Sequence, residues 1–298
     1  MLLRHLRYLL AVAEHGNFTR AAEALHVSQP TLSLQIRQLE EALGTPLLDR
    51  SSRTVRPTDT GLVYLEHARR ALRELAAGER AIHDVRSLQR GALRLAMTPT
   101  LVSYLTGPLV AGFHARHPGI TLQLDEMTLD AMLHALADDA LDIGIAFAAG
   151  GLADPAELAC QPLFTEQLSV VVGAAHPLAH CGAPLAPRQL DGAALAMLHT
   201  SFVTRSHIDA YFQAQQVRPR VAIETGTIGS LLELVNRGGV ATLLPRALTA
   251  GYPGLRAVAL DPPVPPRTVA MMFRRDGYRS AAAAAFIELA PSLLPGAD

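Results

Sequence analysis

Residues 19–43, TRAAEALHVSQPTLSLQIRQLEEAL, decide how the rest of the chain is read. They predict two short helices joined by a tight turn. Thr19 can cap the first helix and Ser28 the second, because a hydroxyl accepts the free N–H groups of a first helical turn. Pro30 falls in the second helix's first turn, where a missing N–H costs little, and Gly44 can end that helix. Leu32, Ile36, Leu39 and Leu43 recur every three or four residues and make one apolar stripe. Gln29, Thr31, Ser33 and Arg37 lie on the other side. A helix that buries one face and offers small polar groups and an Arg on the other suits the major groove of duplex DNA. The same spacing also fits an ordinary helical hairpin with a solvated face, so the flanking residues have to decide.

Before this stretch, a Leu-rich segment predicts a first helix with Leu3, Leu6, Leu10 and Ala13 turned inward. After it, residues 44–58, GTPLLDRSSRTVRPT, predict two extended pieces around 47–50 and 54–56 with Ser51 and Ser52 between them. That is the pattern of a small β-wing. Arg50, Arg53 and Arg56 recur every third residue, and in an extended hairpin they reach phosphates or an adjacent minor groove. Arg53 is the strongest of the three candidates for DNA contact. Residues 58–89 then read as one long helix of about 45 Å at 1.5 Å per residue. Leu65, Ala68, Leu72, Leu75 and Ile82 approximate a heptad seam, as expected of a helix that pairs with another copy.

The run from residue 6 to residue 61, LRYLLAVAEHGNFTRAAEALHVSQPTLSLQIRQLEEALGTPLLDRSSRTVRPTDTG, resembles the DNA-binding domain of the LysR-type transcriptional regulators, and the resemblance continues to the end of the chain. It implies base or backbone contact for Gln29, Pro30, Thr31 and Ser33. Relatives often carry a polar or basic residue where this chain has Leu34, which cannot hydrogen-bond a base edge but can touch a thymine methyl. A narrower resemblance is to the cyanate-responsive activators within that family. It is carried by AVAEHGNFTRAA, RAIHDV (80–85), TPT (98–100), ITLQLDEM (120–127) and LDIGIAFA (141–148).

From residue 92 the period changes. Residues 92–97 and 120–127 look like strands, and 141–147 is a continuous apolar run suited to a buried parallel strand. Helical segments at 101–117 and 129–139 alternate with them, which argues for a parallel α/β sheet. A second unit starts near Gln161, with strands at 168–173, 194–198, 221–225 and 240–245 and helices at 208–215 and 231–238. Near Pro266 the chain is expected to cross back, 268–274 being a last strand of the first unit. The expected organisation is a winged helix-turn-helix domain (1–58), a dimerising linker helix (59–90) and a two-lobed α/β effector domain (91–298). Lobe I comprises 91–161 and 267–298, and lobe II 162–266. The effector domain resembles the periplasmic solute-binding fold.

Ligands of open α/β sheets bind beyond the carboxyl ends of strands. Thr98 and Thr100 follow the strand at 92–97, Phe202 and Thr204 follow the strand at 194–198, and Thr227 follows the strand at 221–225. The resemblance places effector binding at these same turns, so the five are candidate effector contacts. As Ser and Thr often cap helices, the same residues also fit a purely structural role. A small linear anion such as cyanate needs a few N–H and O–H donors and tight apolar walls, which these turns can supply. An aromatic or organic acid remains the alternative effector.

Composition narrows the rest. The chain has 298 residues, 49% of them hydrophobic, and a formal net charge of −1, so any DNA contact must be local. Every basic residue is Arg. Without Lys there is no Walker-A phosphate loop, Schiff-base amine or Ser-x-x-Lys nucleophile. No Gly-x-Ser-x-Gly elbow or His-Glu-x-x-His occurs, and no enzyme is expected. Two cysteines, Cys160 and Cys181, suit a reducing cytoplasm. His176, His180 and Cys181 are metal-like residue types, but Pro177 disrupts their spacing and no second cluster completes a tetrahedral set. No metal or cofactor is expected. The N-terminus shows neither a membrane span nor a signal-peptide cleavage pattern. The reading is a cytoplasmic DNA-binding regulator, an activator, assembled as a homo-oligomer (dimer or tetramer), with duplex DNA and a small effector as partners. Its rival is a solute-binding protein or small-anion enzyme with an accessory N-terminal domain.

Overall fold

A computed structural model describes residues 3–52, 54–85, 91–148 and 158–294. The chain divides into two compact units, residues 1–86 and 87–298.

The first unit holds α1 (Leu3–His15), α2 (Phe18–Ala24), α3 (Gln29–Leu43), β1 (Leu48–Asp49), β2 (Arg56–Pro57) and α4 (Asp59–Val85). Its core is Leu9, Val12, Ala21, Ala22, Leu32, Ile36, Leu39, Leu47, Leu48 and Leu65. In α1 the buried side chains are His5, Leu6, Leu9 and Val12. Leu3 is exposed and Leu10 and Ala13 are half-buried, so the inward face is rotated from the expected one. A three-helix core admits the stripe that meets α2 and α3, and a Leu-rich helix offers more than one such stripe. The first cap also differs: the Asn17 side chain, not that of Thr19, accepts from the Thr19 and Arg20 N–H groups. An Asn side chain one residue before the helix reaches those donors, whereas Thr19 is already inside α2.

Ser28 caps α3 by accepting from Thr31 N, and Gly44 ends it in the left-handed conformation at φ +69°. Leu43, the last residue of the expected stripe, is exposed. The wing strands pair antiparallel, Leu48 opposite Pro57 and Asp49 opposite Arg56. On α4, Leu65 and Ala68 are buried in this unit, Leu72 is half-buried, and Leu62, Val63, Leu75 and Ile82 are exposed. The expected heptad seam is therefore split: its first turns pack at home, and its later turns leave apolar side chains uncovered.

The second unit begins with β3 (Gly91–Met97) and α5 (Pro99–Leu105). A π-helical turn over Thr106–Ala111 leads to α6 (Gly112–Arg116), followed by β4 (Ile120–Glu126), α7 (Leu129–Ala137), β5 (Ile143–Phe147) and β6 (Leu158–Glu166). The chain then builds β7 (Leu168–Gly173), β8 (Ala194–Leu198), α8 (Val203–Ala214), β9 (Arg220–Thr225), α9 (Ile228–Asn236), β10 (Thr242–Pro245) and β11 (Leu255–Val258). It returns through β12 (Arg267–Arg274) and closes with α10 (Ala281–Leu293).

One sheet has the order β4-β3-β5-β12-β6, with β3 parallel to β4 and β5 and β12 antiparallel to β5 and β6. Its core gathers Leu93, Leu95, Ile143, Ile145, Val269, Met271, Phe113 and Phe286. The other lobe carries β10-β7-β11 and the parallel pair β8-β9, linked by a bridge between Leu195 and Ala241. Strand β6 was not foreseen, and the expected lobe boundary at Gln161 falls inside it. Pro162 breaks the strand pattern in sequence, but β6 is an edge strand and the register shifts at Val269/Ala270 beside that proline. The first crossing between lobes thus lies between Glu166 and Leu168, and the second enters at Arg267.

A Cβ on Gly61, in the first turn of α4, would lie 1.9 Å from the Leu47 carbonyl oxygen and 2.9 Å from its carbon. Gly61→Ala should therefore destabilise the first unit by about 1–3 kcal/mol, the usual range for overpacking. A thermal melt should show the loss, and Gly78→Ala, where no atom lies within 4 Å of the new Cβ, should not.

Candidate functional site

Two surfaces collect the candidate residues, one in each unit. In the first unit, Gln29, Pro30, Thr31 and Arg37 are exposed on α3 and Ser33 is half-buried. This follows from the core: once Leu32, Ile36 and Leu39 are buried, the helical repeat turns these positions outward. Leu34 is 52% exposed on the same side, an apolar contact point among polar ones. Arg37 therefore meets no packing that would keep it from a groove.

The wing is tied to α3. Glu40 Oε1 accepts from Leu47 N at 2.9 Å and Leu48 N at 3.1 Å, and its Oε2 accepts from Arg50 at 2.7 Å. Arg50 also lies over the Phe18 ring at 5.1 Å. Arg50 thus braces the wing, which corrects its expected role as a phosphate contact; Arg56 is exposed. Arg53, the expected wing contact, lies outside the described residues.

In the second unit, Thr98, Thr100, Phe202 and Thr204 line one small cavity of about 80 Å³, together with Thr128, Leu129 and Phe147. Thr98 and Thr100 come from the turn after β3, Phe202 and Thr204 from the turn into α8. The two lobes meet here through a hydrogen bond of 3.0 Å between the Thr100 and Thr204 hydroxyls. Thr98 is 6% exposed, and among the described residues its Oγ1 has no hydrogen-bond partner. Thr227 is elsewhere: it is exposed, caps α9 by accepting from Ser230 N, and does not line the cavity. A cap is what a Thr before a helix most often becomes.

Behind the cavity lies a cluster that the local sequence pattern does not reveal. Arg267 donates to Glu166 Oε2 through Nε at 2.9 Å and Nη2 at 2.5 Å, and its Nη1 donates to Thr204 Oγ1 at 3.1 Å. The two charged side chains are 8% and 3% exposed. The Tyr104 hydroxyl donates to the other Glu166 oxygen; burial first, and the Glu166 charge second, push the Tyr104 pKa far up. The Arg267 guanidinium sits 3.6 Å from the centre of the Phe147 ring. Glu166 and Arg267 are register partners where β6 and β12 leave the lobe I sheet. A lone Arg after two prolines at a strand start was the only available hint.

The metal-like segment is locally satisfied, with His176 Nδ1 accepting from Leu178 N. Among the described residues no group of three His, Cys, Asp or Glu side chains converges as a metal site.

Known proteins share this arrangement. Residues 3–62 match the bacterial regulatory helix-turn-helix protein model of the lysR family, and residues 86–294 match the LysR substrate binding domain. The hydrogen peroxide-inducible genes activator of Dickeya chrysanthemi is 32% identical over 279 residues, covering 92% of this chain and 90% of the relative. A full-length OxyR from Pseudomonas aeruginosa, solved as a cysteine variant, has a TM-score of 0.66 at 25% identity, over 98% of this chain and 94% of that one. CbnR complexed with its target DNA, at 23% identity and a TM-score of 0.62 over 99% and 100% of the two chains, shares the fold.

Removing one partner of a buried ion pair leaves the other charge uncompensated, at about 3–5 kcal/mol. Glu166→Ala should show that loss in urea denaturation of the second unit. Glu233→Ala, which removes an exposed i,i+4 partner of Arg237, should change stability by less than about 0.5 kcal/mol.

Proposed function

The chain belongs to the LysR family of DNA-binding transcriptional regulators, and from that premise we propose that it is an activator whose effector is a small anion such as cyanate. The observation that carries this reading is the cavity at the Thr100–Thr204 contact, where hydroxyls from both lobes surround a space of about 80 Å³. An apolar cavity that accepts benzene is about 150 Å³. The space therefore favours a linear ion of three atoms over an aromatic acid.

The hydrogen peroxide-inducible relatives suggest a second small effector. Peroxide read through a thiol would need sulfur in the cavity. The two cysteines are Cys160, on β6, and Cys181, after the turn at 177–180, and neither lines it. Both cysteines are exposed, and the partial burial of Cys160 raises its thiol pKa, which lowers its thiolate fraction. These facts favour the anion.

On this reading α3 enters the major groove with Gln29, Pro30, Thr31, Ser33 and Arg37 toward the DNA, and the wing, including Arg53, follows the backbone. The exposed Leu62, Val63, Leu75 and Ile82 of α4 are covered by a second copy, and pairs of dimers make a tetramer. The protein acts in the cytoplasm, where its DNA lies. Among the described residues no helix is long and apolar enough to cross a membrane. The effector shifts the lobe equilibrium only by its difference in affinity for the two arrangements.

Footprinting on the DNA upstream of its own gene should show protection that changes with millimolar cyanate. An unchanged footprint removes the effector assignment and leaves the regulator. Thr100→Val should abolish the response to cyanate and keep DNA affinity; losing both would indicate misfolding. Arg37→Ala should weaken operator binding by about 1–3 kcal/mol, measured by gel shift at fixed salt, with the cyanate affinity of the free protein unchanged.

A further inference from the structure

Thr98 and Thr100 are two buried hydroxyls in one small cavity, and the direction of the Thr100 proton is biased by what stands behind it. A guanidinium N–H can only donate. Arg267 Nη1 points at Thr204 Oγ1 at 3.1 Å, so that oxygen accepts from it. That donation polarises the Thr204 O–H and so favours its giving its proton to Thr100 Oγ1 at 3.0 Å. In that arrangement Thr100 accepts, and its own proton finds no acceptor among the described residues. Thr98 Oγ1, buried beside it, has no partner there either. The Thr128 hydroxyl is engaged as the cap of α7, accepting from Ala131 N. The remaining wall includes Phe147, Phe202 and Leu129, which offer no acceptor side chain, and the hydroxyl of Ser201, which is exposed.

From this we infer that Arg267, acting through Thr204, is the positioning residue that turns the Thr100 hydroxyl into a donor beside the unpartnered hydroxyl of Thr98, making the cavity selective for a small anion that accepts hydrogen bonds and carries no N–H or O–H of its own. The inference rests on the effector reading above and sharpens it. Arg267 does not neutralise the ligand, because its charge is matched by Glu166. Its contribution is directional: a donor that cannot be reversed polarises two hydroxyls in series toward the cavity, and hydrogen bonds in such a chain strengthen one another. A ligand with donors only meets the outward proton of Thr100. A ligand with acceptors satisfies Thr98 and Thr100, groups whose burial without partners is otherwise unfavourable.

The test is calorimetric titration of the full-length protein with sodium cyanate, sodium azide and methylammonium chloride. Wild-type protein should bind both anions and not methylammonium. Thr204→Val keeps the side-chain shape and breaks the chain of hydroxyls; it should weaken both anions about tenfold, and Thr204→Ser should restore them. If Thr204 works through Thr100, then Thr100→Val/Thr204→Val should lose no more affinity than Thr100→Val alone. An unchanged affinity in Thr204→Val, additive losses in the double variant, or methylammonium binding at the same site would each overturn the inference while leaving the effector reading in place. Absence of anion binding to wild-type protein would remove that reading and this inference with it. Thermal melts accompany each variant; a Thr204→Val protein that melts early is judged by Thr204→Ser, which should bind like wild type.

Discussion

The buried pair of Glu166 and Arg267 is the constraint on which the second unit depends. The two residues are 101 positions apart in sequence, yet they are register partners on the two strands that cross between lobes. Taking both charges out of water costs several kcal/mol per ion, which the mutual attraction offsets only when every remaining donor and acceptor is satisfied. Here they are well provided for. Both Glu166 oxygens accept, from Tyr104 and from Arg267, while Arg267 also reaches Thr204 and lies over Phe147. A pair built this way is weak evidence for extra stability. It is better evidence for a fixed geometry, because Arg267 is held at once by Glu166, Thr204 and the Phe147 ring.

That geometry carries into the cavity. Arg267 holds Thr204, Thr204 meets Thr100 across the lobes, and Phe147 forms part of the wall. The two lobes are thus joined by a pair of hydroxyls whose interaction is modest, on the order of 1 kcal/mol net, beside a hinge held by a much stiffer ionic contact. A weak, exchangeable bond next to a rigid pivot is what a ligand-responsive domain needs. On the proposed reading the ligand meets the outward hydroxyl protons, while the crossing strands keep their register.

The first unit uses a carboxylate for a comparable purpose. Glu40 sits at the end of α3, and its oxygens hold the backbone of Leu47 and Leu48 and the side chain of Arg50. Helix and wing are therefore one body, and the residues exposed on α3 face outward in fixed relation to β1 and β2. Reading Arg50 as a residue that could reach phosphates overlooked this: a charge repeat in sequence cannot distinguish a brace from a contact.

Local signals along the chain determined much of the architecture. Ser28 and Gly44 bound α3 as their chemistry requires, the stripe of Leu32, Ile36 and Leu39 is buried, and the strands at 92–97, 120–126 and 268–274 form as their apolar periods predict. Four of the five hydroxyl-turn candidates for the effector site share one cavity, since the turns after β3 and β8 meet across the two lobes. Tertiary structure alone decided the rest. It excluded Thr227, chose the Leu9 face of α1 over its neighbour, placed a strand across Pro162, and brought Glu166 and Arg267 together. The reason is physical. Caps, turns and periodicity act between residues a few positions apart, so they are written in the local order of the chain. A salt bridge spanning two crossings, or the choice among several apolar stripes, depends on which surfaces meet after folding.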